Sequence, residues 1–200
     1  VRRRTRTILV TVTAVAATAV AATAAIALWP TTRPGGDPAL WPVETLTADP
    51  AVALPYVLHV TPADCPGLSL SSPVPEDSRN VPGSGSFTVD LGGSHYALAV
   101  CLGTVEETGG ARRSVAEHIG ADDVLEDAVV WNRNATLVDA PYGELVRVDR
   151  AYAATSPPRL TDWLVDHGGY TYAVGYLHPD DDTGRYRDVE AMLASVTWDQ

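Results

Sequence analysis

The chain of 200 residues has the length of one domain, or of one domain plus an attached segment. It carries 14 Arg, no Lys, 17 Asp and 8 Glu, a formal net charge of −11, with 46% hydrophobic residues, enough to bury a core. The acidity argues against a nucleic-acid partner, the missing lysine excludes a Schiff base, a P-loop and a kinase-type phosphate clamp, and two cysteines cannot build a Cys-rich zinc module.

In chain order, residues 1–7 form a basic segment with Arg2, Arg3, Arg4 and Arg6. Residues 8–29 then run without a charge, 22 residues of which 9 are Ala and 4 Thr. As a helix this run would span roughly 33 Å, enough to cross a bilayer core. The basic flank would stay cytoplasmic, Trp29 would sit at the outer interface, and everything after Pro30 would be exported. Two readings stay open. The run is longer than the usual signal-peptide core of about 7–15 residues, which favours an uncleaved signal anchor. The small-x-small sites Ala22-Thr23-Ala24 and Ala25-Ile26-Ala27 would instead allow cleavage and secretion. Arginine without lysine fits a GC-rich bacterial genome.

Residues 30–44 read as a Pro/Gly-rich linker, and residues 45–200 as a single exported α+β domain. Eleven of the 15 prolines fall between Pro30 and Pro82. The composition predicts a strand over 56–61, a loop over 62–82, and a hairpin of 86–91 with 95–102 around Gly92-Gly93-Ser94. Helical spacing follows over 111–119 and again over 122–129, where Val124, Leu125, Ala128 and Val129 recur. Strands are predicted over 135–139 and 144–152, then 160–166 and 170–178, the last pair around His167-Gly168-Gly169. A helix over 185–195 and a short strand over 196–198 close the chain. The fold class expected is an antiparallel β-sheet covered by helices.

The carboxy-terminal part adds a resemblance. The stretches Asp166-His167-Gly168-Gly169-Tyr170-Thr171-Tyr172-Ala173-Val174 and Val189-Glu190-Ala191-Met192-Leu193-Ala194-Ser195-Val196-Thr197-Trp198 resemble the PsbP-like (Mog/PsbP) fold of exported actinobacterial lipoproteins. The resemblance covers residues 130–200. It implies an α/β/α sandwich and a non-enzymatic envelope protein, and it transfers no binding residue. The sequence departs from those lipoproteins in lacking the lipid-anchoring cysteine, a role the segment 8–29 would take.

Candidate chemistry is sparse. In an exported domain Cys65 and Cys101 are expected to pair as a disulfide, closing a loop of about 37 residues and stabilising by roughly 3–4 kcal/mol. Tyr170, Tyr172 and Tyr176 share one face of an alternating strand, with Trp131 and Trp163 near in sequence. Such a face would either line a ligand groove or fill the core of the sheet. Asp180-Asp181-Asp182 is the densest acidic cluster but lacks EF-hand spacing, so a solvated turn before a helix is the simpler reading. The histidines His59, His95, His118, His167 and His178 show no zinc-ligand spacing, and Gly83-Ser84-Gly85-Ser86 is no nucleophile elbow. No catalytic, cofactor or metal residue is assigned.

Function is therefore read from placement. The expectation is a membrane-anchored, extracytoplasmic binding or accessory protein. Its partner would be an envelope protein, a cell-wall component or a lipophilic small molecule. The alternatives are an exported hydrolase with a dispersed site, or a structural or regulatory partner of a membrane complex. From Thr31 onward 10 arginines face 25 acids, a net −15. The acidity belongs to the expected exported domain and would keep it from nucleic acid and anionic headgroups.

Overall fold

A computed structural model describes residues 38–61, 64–75, 86–117, 119, 122–125, 128–152, 158–179 and 184–199. The expected membrane segment 8–29 lies outside them, as do His118, Gly83-Ser84-Gly85 and Asp180-Asp181-Asp182. Among the described residues no helix is long and apolar enough to cross a membrane. The architecture is α+β, dominated by one large sheet with few and short helices.

The strands are β1 (Val43–Thr45), β2 (Tyr56–Val60), β3 (Leu68–Ser72), β4 (Ser86–Gly92), β5 (His95–Thr104), β6 (Asp122–Leu125), β7 (Ala128–Ala140), β8 (Gly143–Tyr152), β9 (Pro158–His167), β10 (Tyr170–Pro179) and β11 (Thr197–Trp198). The helices are α1 (Val105–Thr108), α2 (Ala111–Ala116) and α3 (Tyr186–Ala194). The large sheet runs β1-β7-β8-β9-β10-β5-β4, and β6 pairs with β7. Among the described residues every pairing in this sheet is antiparallel except that of β1 with β7. The strands β7 to β10 form a meander whose turns hold Gly143 and Gly168-Gly169, short connections that force neighbours in sequence to be neighbours in space. A second, three-stranded sheet has the order β11-β3-β2.

Alternation along the strands sends two unlike sets of side chains to opposite faces. One face carries Phe87, Val89 and Leu91 from β4, Tyr172, Val174 and Tyr176 from β10, and Trp163 and Val165 from β9. The small sheet and α3 cover it with Leu58, Leu68, Leu70, Val189, Met192 and Leu193. The other face carries Val146, Val148, Leu164, Ala173 and Val100, against which Ala111 and Val115 of α2 pack. Both faces are thus covered, one by α3 together with strands and one by α2.

Several sequence expectations are corrected. The segment 122–129 is not a helix: it is β6 and the start of β7, antiparallel with Val124 opposite Val129. Its apolar positions fit either a helical stripe or a buried strand, and pairing to β7 decides between them. The expected loop over 62–82 contains β3, whose Leu68, Leu70 and Ser72 point inward. Part of the expected linker 30–44 lies in the fold, with Pro38–Leu40 a 3-10 turn, Trp41 packed on the α2 face, and Val43 and Glu44 paired to β7. The strand expected over 135–139 is the longer β7, Ala128–Ala140, and the helix expected over 111–119 ends at Ala116. The other predicted strands, α3 and β11 stand within two residues of where the periodicity places them.

Candidate functional site

Cys65 and Cys101 are paired as a disulfide with their Cα atoms 6.4 Å apart. Cys101 lies opposite Tyr172 on β10, so the bond ties the segment before β3 to the edge of the aromatic face. The same segment is held a second way: the Tyr172 hydroxyl donates to the Pro66 carbonyl at 2.9 Å.

The three tyrosines share a face, as the alternation requires, and that face is core. Tyr172 and Tyr176 are 1% and 0% exposed, and Tyr170 is half-buried against the same cluster. Trp163 is fully buried beside them, stacked at a tilt on Tyr186 at 5.6 Å. The small sheet and α3 thus occupy the space a ligand groove would need. The side chain of Trp131 lies outside the described residues.

Two aromatic groups extend this core. The Tyr176 hydroxyl and His95 Nδ1 share a hydrogen bond of 2.7 Å, and His178 stacks on the Tyr176 ring at 4.7 Å. Both histidines are buried. Toward the other end of β10, His167 stacks on Trp198 at 4.2 Å, and Tyr172 and Tyr142 contact the same indole. His167, expected as a turn residue, ends β9 and joins this cluster. Burial pushes the Tyr142 phenol well above its usual range. His59 is exposed on β2 and bonded to Ser69. Among the described residues no group of three or more His, Cys, Asp or Glu could hold a metal ion.

Charged clusters that sequence reading missed occur on both faces. On the aromatic face, Arg147 donates to both oxygens of Glu44 across β7, at 2.8 and 3.3 Å. Tyr186 and Glu190, one turn apart on α3, lie within electrostatic reach of this guanidinium. Burial raises both groups above their ordinary ranges, and Arg147 opposes the rise. Arg147 thereby ties β8 to β1, with its charge facing α3. On the other face Arg150 and Asp162 form an ion pair at 3.0 Å in which each side chain is only 3% exposed. Desolvation pushes the Asp162 carboxyl upward, with Arg150 pulling the other way. A Cβ on Gly175 would stand 2.8 Å from Asp162 Oδ1, so glycine there makes room for the carboxylate.

An open cleft lies at the end of the α2 face. Its volume is about 360 Å³, and Gly109, Gly110, Arg112, Arg113, Glu144 and Asp166 are among its lining residues. The cleft exists because of an unusual backbone. Thr104 and Glu107 form a reciprocal capping box that starts α1. Gly109 ends that helix at φ 77°, and Gly110 follows at φ 83°, ψ 167°, a region open to glycine and little else. Asp166 holds the turn: its Oδ1 and Oδ2 both accept from the Ala111 N–H at 3.0 Å, and Thr171 donates to Oδ1 at 2.7 Å. Thr108 Oγ1 contacts Thr171 Oγ1 at 2.7 Å and accepts from the Gly110 N–H at 3.1 Å. At the mouth, Arg112 donates through Nε and Nη2 to the two oxygens of Glu144, and Arg113 donates to Glu117. All four walls of charge, two guanidinium groups and two carboxylates, come from residues exposed to solvent. The sequence signal was present as Gly109-Gly110-Ala111-Arg112-Arg113, but nothing in it points to Glu144 or Asp166.

No family model matches the chain, and no curated protein matches it. Among solved structures, a crystal structure from Bacteroides thetaiotaomicron VPI-5482 is similar at a TM-score of 0.41 and 9% identity. The alignment covers 66% of this chain and 45% of that one, so the chain spans less than half the length of the structure it matches.

Proposed function

We propose that the chain is a membrane-anchored extracytoplasmic binding or accessory protein of a bacterial envelope, built on a PsbP-like α/β/α domain. Residues 8–29 act as the anchor, and the acidic domain stands outside the membrane. The observation that supports this most is the Cys65–Cys101 disulfide, which suits an oxidising compartment, in a chain led by four arginines and an uncharged run of 22 residues. The resemblance over residues 130–200 adds the order hairpin, Gly turn, Tyr-rich strand, helix and short strand. The partner is an envelope protein, a cell-wall component or a lipophilic small molecule, with nucleic acid disfavoured by a net −15 from Thr31 onward.

Crosslinking in native membranes, followed by identification of the adduct, tests the binding role, and a discrete partner recovered from the wild-type chain is expected. Assay of the purified full chain against esters, peptides and glycans tests the alternative. Turnover at rates ordinary for enzymes would replace this reading with that of an exported hydrolase.

A further inference from the structure

We propose that the cleft beside Gly109 and Gly110 binds a small dipolar molecule bearing one carboxylate and one ammonium group. Arg112 and Arg113 face the carboxylate, and Glu144 and Asp166 face the ammonium.

Three observations carry this. The first is size: at about 360 Å³ the cleft falls near the lower end of ligand pockets, roughly 300–1,000 Å³, which suits a molecule of amino-acid dimensions. The second is the charge of the lining, two cations and two anions. A simple anion entering it meets Glu144 and Asp166, and a simple cation meets Arg112 and Arg113. A molecule carrying both charges satisfies all four. The position is unusual for this chain, because two of only 10 arginines beyond residue 30 stand side by side at one turn.

The third is the combination of rigid frame and exchangeable charge. The backbone of the turn is fixed by Asp166, Thr171, Thr108 and the capping box of α1, so the cleft is formed before a ligand arrives. A Cβ would come within 2.7 Å of Asp166 Oδ2 at Gly110 and 2.8 Å of Arg113 Cδ at Gly109. Among the described residues, Arg112 is paired with Glu144 and Arg113 with Glu117. The Arg112–Glu144 and Arg113–Glu117 pairs are solvent-exposed, of the kind that contributes little and exchanges readily. A carboxylate offers Arg112 the same planar two-point acceptor as Glu144, which is then released to the ammonium. Asp166 accepts from two protein donors, the bifurcated Ala111 N–H and the Thr171 hydroxyl, and keeps a lone-pair site on Oδ2. This inference is independent of whether the chain is anchored in a membrane.

Titration calorimetry of the full chain in detergent micelles tests it, with glycine, β-alanine and γ-aminobutyrate as dipolar probes and acetate and ethylammonium as single-charge probes. Saturable binding of at least one dipolar probe is expected, with a dissociation constant on the order of 1 mM. The single-charge probes are expected not to saturate. Arg112→Gln and Glu144→Gln, both at exposed positions, are expected each to weaken binding about tenfold with the melting temperature unchanged. Should either chain melt early, Arg113→Gln gives the same reading from a third exposed position. Equal saturation by acetate or ethylammonium overturns the proposal. So does an absence of saturation by every dipolar probe up to about 50 mM, or an unchanged constant in a folded Arg112→Gln chain.

Discussion

The two faces of the large sheet are built from the same strands and are chemically unlike. Strand β10 shows it most directly, sending Tyr172, Val174 and Tyr176 one way and Thr171, Ala173 and Gly175 the other. The large residues meet α3 and the small sheet in a continuous aromatic core. The small ones admit a buried ion pair and leave space at the α2 end for a cleft framed by glycines. One face is thus specified by bulk and the other by room, so substitutions should act on them by different physics.

The largest effect is expected on the aromatic face. Trp163→Ala removes a fully buried indole and should cost about 3–5 kcal/mol of unfolding free energy in denaturant titration, through lost transfer energy and the cavity left behind. A cost below about 1 kcal/mol would mean that the face is not the packed core described. Arg150→Met, on the other face, should cost a similar amount at neutral pH, about 3–5 kcal/mol, because Asp162 remains buried without its partner. Here pH separates the two. Burial holds the folded Asp162 carboxyl above its ordinary 3.8, so its ionisation weakens the fold progressively as pH rises from that value through the raised one. The Arg150→Met loss should therefore shrink on acidification from about pH 7 to about pH 4, whereas the Trp163→Ala loss should not. Equal pH dependence in the two variants would erase the distinction between the faces.

Removing the disulfide by Cys65→Ser with Cys101→Ser should cost roughly 3–4 kcal/mol, given a separation of 36 residues. Equilibrium unfolding of the oxidised and double-Ser chains under identical conditions measures it. A smaller loss, about 1–3 kcal/mol, is expected for Gly175→Ala, whose new methyl would press on Asp162 Oδ1 and on the Leu98 side chain. Pairing Gly175→Ala with Asp162→Ala, which removes the facing oxygen, tests that coupling, and strict additivity of the two effects would contradict the contact.

Much of the fold was legible in the sequence because the pattern there has one physical solution. Tyr170, Tyr172, Val174 and Tyr176 alternate cleanly, and Gly168-Gly169 leaves β9 and β10 no arrangement except a hairpin. Tyr186, Val189, Met192 and Leu193 fit only a helix with one buried stripe. Where two solutions exist, sequence alone could not choose. Val124, Leu125, Ala128 and Val129 suit a helix face as well as a strand pair, and only β7 decides. Leu68 and Leu70 sit among prolines, which mask a five-residue strand whose partners, β2 and β11, are paired with it at separations of 8–16 and 128–130 residues. The choice between groove and core for the tyrosines needed the covering layer, which no strand pattern contains.

The cleft was the least legible feature. Gly109-Gly110 and the paired arginines mark one wall. Glu144 and Asp166 reach it from the ends of β8 and β9, through a register that depends on the whole meander. Likewise nothing in Arg150 or Asp162 marks an ion pair. They meet because Arg150 stands opposite Leu160 and Asp162 opposite Val148, a diagonal on one face.

Whether the acidic domain is anchored and faces outward is read by adding a protease to intact spheroplasts expressing the full chain with a carboxy-terminal tag. Digestion of the tagged domain without lysis, with the chain itself fractionating with membranes, is the result expected. A tagged domain that stays protected until the cells are lysed would contradict it.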